Sequence, residues 1–146
     1  MPDPQVLTVN QTLPLGGELV SKNGKFKVVM HHNGNLVLYG PDGEEMWQSY
    51  TYDINIKDGL YFDKDGTLYL TEPDGSVAWS SGSVWCSPYS KSVGHCRVID
   101  RFLVKNNGDM GSYDNKGRYH FHTDTADWYE GWSQNETYET GSTFWI

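Results

Sequence analysis

The chain has 146 residues, 21% of them charged, and a formal net charge of −8. A domain of this size buries about 70% of its unfolded surface, enough for a core that needs neither metal nor a dense disulfide framework. The acidic balance and the lack of any Lys/Arg cluster argue against nucleic acid and anionic lipid as partners, and no apolar run is long enough for membrane insertion.

The opening Met1-Pro2-Asp3-Pro4 lacks the basic start and apolar stretch of a secretory signal. Either the protein enters no classical secretory route, or the chain is a mature form with a new Met. Residues 7–13 read as a leading strand. Beyond them no segment of helical length shows a 3.6-residue apolar period. Asn-Gly or Asp-Gly dipeptides stand at 23–24, 33–34, 42–43, 58–59, 65–66, 74–75 and 107–108, and such pairs accept the positive φ of tight hairpin turns. Between them, residues 25–30, 36–39, 60–62, 68–71 and 98–104 are short strand-forming runs rich in β-branched, aromatic and leucine side chains. The fold class read from this pattern is all-β.

Aligning Gly34, Gly66 and Gly108 reveals a triplication. His31-His32-Asn33-Gly34-Asn35-Leu36-Val37-Leu38-Tyr39 matches Asp63-Lys64-Asp65-Gly66-Thr67-Leu68-Tyr69-Leu70-Thr71 and Lys105-Asn106-Asn107-Gly108-Asp109-Met110-Gly111-Ser112-Tyr113 without a gap. Trp47, Trp79 and Phe121 follow at one common distance. The expected repeats are 17–50, 51–82 and 97–123, followed by an aromatic tail over 124–146, all in one domain. A unit this small cannot bury its apolar face alone. The three should therefore pack around a shared centre filled by Trp47, Trp79 and Phe121, a core role favoured over a sugar-stacking row. The tail, with Trp128, Tyr129, Trp132, Tyr138, Phe144 and Trp145, would be costly to expose and should cover its own body or a second copy.

Ten extra residues separate the second and third glycines, around Cys86 and Cys96. The two cysteines are close enough in sequence to close a disulfide; two free thiols are the other reading. Asn10-Gln11-Thr12 and Asn135-Glu136-Thr137 form glycosylation sequons. These features lean towards an extracellular protein, the missing signal towards the cytosol, and the compartment stays open.

In the first repeat His31, Asn33, Asn35, Val37 and Tyr39 are spaced by two, which along a strand points side chains to one face. Imidazole, two carboxamides, a phenol and one apolar side chain suit a neutral polyhydroxylated ligand: carboxamides both donate and accept, and Val37 offers apolar surface to ring carbons. Turn chemistry alone explains Asn33-Gly34, but not Asn35 with Tyr39.

The spacing resembles Gln-x-Asp-x-Asn-x-Val-x-Tyr, the threefold signature of the bulb-type (monocot, snowdrop-like) mannose-binding lectins. The lead-in Leu15-Gly16-Gly17-Glu18-Leu19-Val20-Ser21-Lys22-Asn23-Gly24 and the ends Trp47-Gln48-Ser49 and Trp79-Ser80-Ser81 are similar to that family too. The resemblance implies a pseudo-threefold type II β-prism of three small antiparallel sheets. It also implies metal-free, cofactor-free recognition of mannose-containing glycans or glycoproteins, and a homodimer through the C-terminal tail. By the same analogy the Asp and Asn of the motif hold the 2-hydroxyl of mannose, the Gln the 3-hydroxyl and the Tyr the 4-hydroxyl. Asn35, Val37 and Tyr39 match; His31 stands for Gln and Asn33 for Asp. Asn33 lacks the charge that strengthens such bonds, and His31 would make affinity depend on pH near neutrality. Lys105, Asn107, Asp109 and Tyr113 form a second candidate site, unless Lys105 simply pairs with Asp109. Asp63, Asp65, Thr67 and Thr71 form a degenerate one, kept as scaffold.

Three other readings stand beside the lectin. His120 and His122 share strand parity, and Asp63-x-Asp65-Gly66 is similar to part of a calcium loop, but a third ligand and the closing Glu are missing. Asp124-Thr125-Ala126-Asp127 is faintly protease-like, without a nucleophile elbow, phosphate loop or thiol–His arrangement, so no enzyme is expected. The remaining alternative is a β-prism interaction module with degenerate sugar sites that binds protein or itself.

Overall fold

The computed structural model describes residues 5–84 and 98–126. Cys86, Cys96 and the tail beyond Ala126 lie outside the described residues, and with them the disulfide and tail-mediated dimer expectations. The described residues form three four-stranded antiparallel sheets. The first sheet contains β3 (Glu18–Val20), β4 (Lys27–Met30), β5 (Leu36–Tyr39) and β6 (Glu45–Gln48), in that order. The second contains β2 (Thr12–Pro14), β7 (Gly59–Phe62), β8 (Leu68–Thr71) and β9 (Val77–Ser80). The third contains β1 (Val6–Thr8), β10 (Arg101–Val104), β11 (Met110–Tyr113) and β12 (Tyr119–His122).

The leading stretch 7–13 is not one strand. It divides into β1 and β2, which join different sheets. The break has a local cause: Asn10 adopts a φ of 68°, Gln11 N–H donates to the Thr8 carbonyl at 3.1 Å, and the Gln11 side chain accepts from Thr8 N–H at 2.9 Å. The N-terminal segment thus lays one outer strand on each sheet in turn, β1 on the third, β2 on the second and β3 on the first. Each delivers one leucine to the core: Leu7, Leu13 and Leu19.

Strand alternation explains the interior. Val28, Met30, Leu36 and Leu38 of the first sheet are fully buried, as are Leu60, Phe62, Leu68 and Leu70 at the matching positions of the second. The third sheet offers Phe102, Val104, Met110 and, in place of a leucine, the buried Ser112. All three sheets bulge at the same point, after Leu38, Leu70 and Ser112. Where their last strands converge, Trp47, Trp79 and Phe121 pack edge-to-face in all three pairings, with centroids 5.6, 5.9 and 5.4 Å apart. Three sheets meeting around one aromatic axis make a type II β-prism.

The three aligned turn glycines close this ring. Gly34 has a φ of 97°, and a methyl group there would strike the Ile54 carbonyl oxygen and lie 2.9 Å from that of Thr51. Gly66 is seated in the same way on Ile99, and Gly108 on Phe26. Gly34 and Gly66 therefore press on the segments that lead into the second and third sheets, and Gly108 returns to the first, against the Phe26 and Met46 side chains. Gly43 also has positive φ, but a methyl there meets nothing within 4 Å. Gly34→Ala is expected to cost about 3 kcal/mol, from left-handed strain plus overpacking against backbone, and Gly43→Ala only about 1 kcal/mol. Urea unfolding of both variants checks this, and equal losses would contradict it.

Candidate functional site

The outer face of the first sheet is built by the residues that alternate with the core. Register places Lys27, Tyr39 and Glu45 in one row and Val29, Val37 and Gln48 in the next. The bulge after Leu38 brings Glu45, rather than Met46, opposite Tyr39. At the hairpin end, His31 Nε2 shares a 2.7 Å hydrogen bond with the Tyr39 hydroxyl, and the two rings meet edge-on with centroids 5.9 Å apart. Both are half-buried, whereas Asn33 is exposed. Burial raises the pKa of the Tyr39 phenol, and the nearby negative charge of Glu45 raises it further. The hydroxyl therefore stays protonated and keeps a hydrogen to donate through the physiological range.

Asn33 and Asn35 serve different ends. The Asn33 side-chain oxygen accepts from Asn35 N–H at 2.9 Å, a local turn bond that leaves its NH₂ group uncommitted among the described contacts. Asn35 is only 7% exposed. Its NH₂ donates to Gln48 Oε1 at 2.9 Å, and its oxygen accepts from Ser49 Oγ and Thr51 N–H, each at 3.2 Å. The Thr51 hydroxyl donates to the Gly34 carbonyl at 2.6 Å. Asn35 is thus the knot of a polar clasp that ties the hairpin to the segment after β6. Val37, 3% exposed, lies beneath this surface.

The clasp recurs in the third repeat with altered chemistry. Asp109, at the place of Asn35, accepts from Thr123 Oγ, Asp124 N–H and Thr125 N–H through one oxygen. Its other oxygen meets His122 Nδ1 at 2.8 Å; a carboxylate can only accept, so this nitrogen carries the proton. His122 takes the place of Gln48, and Thr125 holds the Gly108 carbonyl as Thr51 holds that of Gly34. A donor–acceptor pair has been inverted with the geometry kept. The outer face has changed with it. A methyl group on Gly111, where the first repeat has Val37, would lie 2.9 Å from His122 Cβ. Tyr113 is 2% exposed, with Lys105 Nζ 5.7 Å from its ring centroid, and Lys105 and Asn107 are buried. Burial pushes the Tyr113 phenol well above its ordinary range, with the Asp109 charge adding to it.

The second repeat keeps only part of the clasp. Thr67 donates to the Gly82 carbonyl at 3.2 Å, and Asp63 rather than Asp65 accepts the turn N–H. Thr71 stands where Tyr39 and Tyr113 do. Among the described residues no three His, Cys, Asp or Glu side chains converge as metal ligands; His120 Nε2 bonds the Gly82 carbonyl and His122 bonds Asp109. Gln48, Glu45 and Lys27 belong to the first outer face and were missed in the five-residue motif. The signal was available for Gln48, which follows Trp47 directly, but its pairing with Val37 depends on the bulge.

No family model matches the chain. B-type lectin plumieribetin of Scorpaena plumieri is 31% identical over 98 residues, which are 67% of this chain and 77% of that protein. Mannose-specific lectin 1 of Colocasia esculenta is 39% identical over 77 residues, covering 53% of this chain but only 27% of that longer protein. Among solved structures, tarin lectin bound to trimannose superposes with a TM-score of 0.56 at 27% identity, over 77% of this chain and 92% of tarin. The relatives are lectins, not enzymes. With the three-sheet prism and its threefold hairpins, these similarities show that the chain belongs to the bulb-type (B-type) lectin family.

Proposed function

We propose that the chain binds mannose-type glycans at the outer face of the first sheet, through direct hydrogen bonds and without a metal ion. The observation that carries this reading is accessibility. On the first sheet His31, Asn33, Tyr39 and Gln48 reach solvent around the buried Val37. On the third the matching Tyr113 and Asn107 are enclosed, and on the second the tyrosine is replaced by Thr71. The names of the Colocasia relatives and the trimannose bound by tarin supply the sugar class. The chemistry agrees: the face offers an imidazole, carboxamides and a phenol, each able to exchange a hydrogen bond with a hydroxyl. Asn35 contributes by holding the face in shape, and the contacts fall to His31, Asn33, Tyr39 and Gln48.

This division of labour separates two variants. Tyr39→Phe removes one hydroxyl from the half-buried face and should weaken mannoside binding about tenfold, the worth of one hydrogen bond. Titration calorimetry in the presence of EDTA measures it. No glycan binding under any condition would refute the proposal in favour of an interaction module, binding lost only with EDTA would refute the metal-free contacts, and undiminished binding by Tyr39→Phe would refute the first-sheet face as the site. Asn35→Ala instead leaves Ser49 and Thr51 N–H without their acceptor. It should cost about 2 kcal/mol in urea unfolding, and a loss under about 0.5 kcal/mol would contradict the clasp.

A further inference from the structure

The loop that completes the clasp carries a residue that the fold does not require. Tyr50 has a φ of 60° and is 73% exposed. The matching positions of the other repeats are Gly82, at a φ of 89°, and Asp124, at 58°. Glycine and aspartate enter the left-handed region readily, whereas a bulky aromatic residue does so against steric strain. Tyr50 gives the core nothing in return, since its ring does not belong to the buried cluster. Strain held without a packing reward is characteristic of ligand-contacting positions.

Its location is fixed by its neighbours. Ser49 Oγ and Thr51 N–H, on either side of Tyr50, both bond the Asn35 carboxamide oxygen. Asp53 N–H donates to the Asn33 carbonyl at 2.8 Å, binding the same loop to the hairpin turn. Tyr52, between those anchors, is 54% exposed. Tyr50 and Tyr52 are therefore two exposed phenols on the loop anchored to the hairpin end of the first sheet. They are far too small an area for a stable protein interface, which needs about 1,000 Å², but they match the apolar C–H face of a single hexose ring.

We propose that Tyr50, flanked by Tyr52, is a stacking ledge for a second sugar ring, so that the first-sheet face discriminates an oligomannoside from a single mannose. The inference rests on the mannose reading above and gives that site its preference for glycan length.

Calorimetric titrations with methyl α-mannoside and with α-linked mannotriose test it on wild type, Tyr50→Asn and Tyr50→Phe. Wild type should bind the trisaccharide at least about fivefold more tightly than the monosaccharide. Tyr50→Asn, suited to the left-handed backbone, should bring that ratio near one while raising the melting temperature; Tyr50→Phe should keep the ratio. A wild-type ratio near one, a ratio unaltered in Tyr50→Asn, or equal losses in both variants would overturn the ledge, and an unraised melting temperature would overturn the strain argument. Monosaccharide binding with any of these results leaves the mannose reading standing. Absence of binding to both sugars by wild type removes both.

Discussion

The seating of each hairpin turn against residues of, or leading into, another sheet is the constraint on which the molecule depends. Gly34 fits beneath Ile54 and Thr51, Gly66 against Ile99, and Gly108 against Phe26. The contacts run cyclically, so no repeat is complete without the other two. The same closed ring surrounds the axis at which Trp47, Trp79 and Phe121 meet edge-to-face. The candidate face follows from the closure, since the same hairpins that lock the ring position His31, Asn33 and Asn35.

Three copies of one scaffold have diverged where the scaffold allows it. The clasp below each hairpin tolerates inverted hydrogen-bond polarity, Asn35 with Gln48 in one repeat and Asp109 with His122 in another. In both, the side chain accepts from the returning segment, whereas Thr67 of the second repeat donates to it. On the surface above the clasp the repeats part further: Val37 and an accessible Tyr39, Gly111 and an enclosed Tyr113, Tyr69 and Thr71. Under the proposed reading, stability and recognition fall to different atoms of neighbouring residues, and Asn35 serves the structure through its bonds to Gln48, Ser49 and Thr51.

Much of this was legible in the residues because turns and alternation are local. Asn33-Gly34, Asp65-Gly66 and Asn107-Gly108 announce hairpins by backbone sterics alone, and the expected strands at 36–39 and 68–71 coincide with β5 and β8. The leading stretch reads as one strand because its alternation continues across Asn10, and nothing nearby shows that β1 and β2 pair with strands about 95 and 50 residues away, respectively. The outer face was only half legible. Strict parity gathers Asn35, Val37 and Tyr39, but cannot tell that Asn35 is spent internally, nor that a bulge carries Glu45 and Gln48 to the same surface. Those facts arise from cross-strand register, a non-local property.

The central claim is that recognition takes place on the first outer face and there alone. Backbone amide NMR during titration with methyl α-mannoside, in EDTA, tests it most directly. The account predicts saturable shifts at Asn33, Asn35, Tyr39 and Gln48, with Asp65, Thr71, Asp109 and Tyr113 unmoved. Shifts centred on the second or third repeat, or none at saturating sugar, would contradict it.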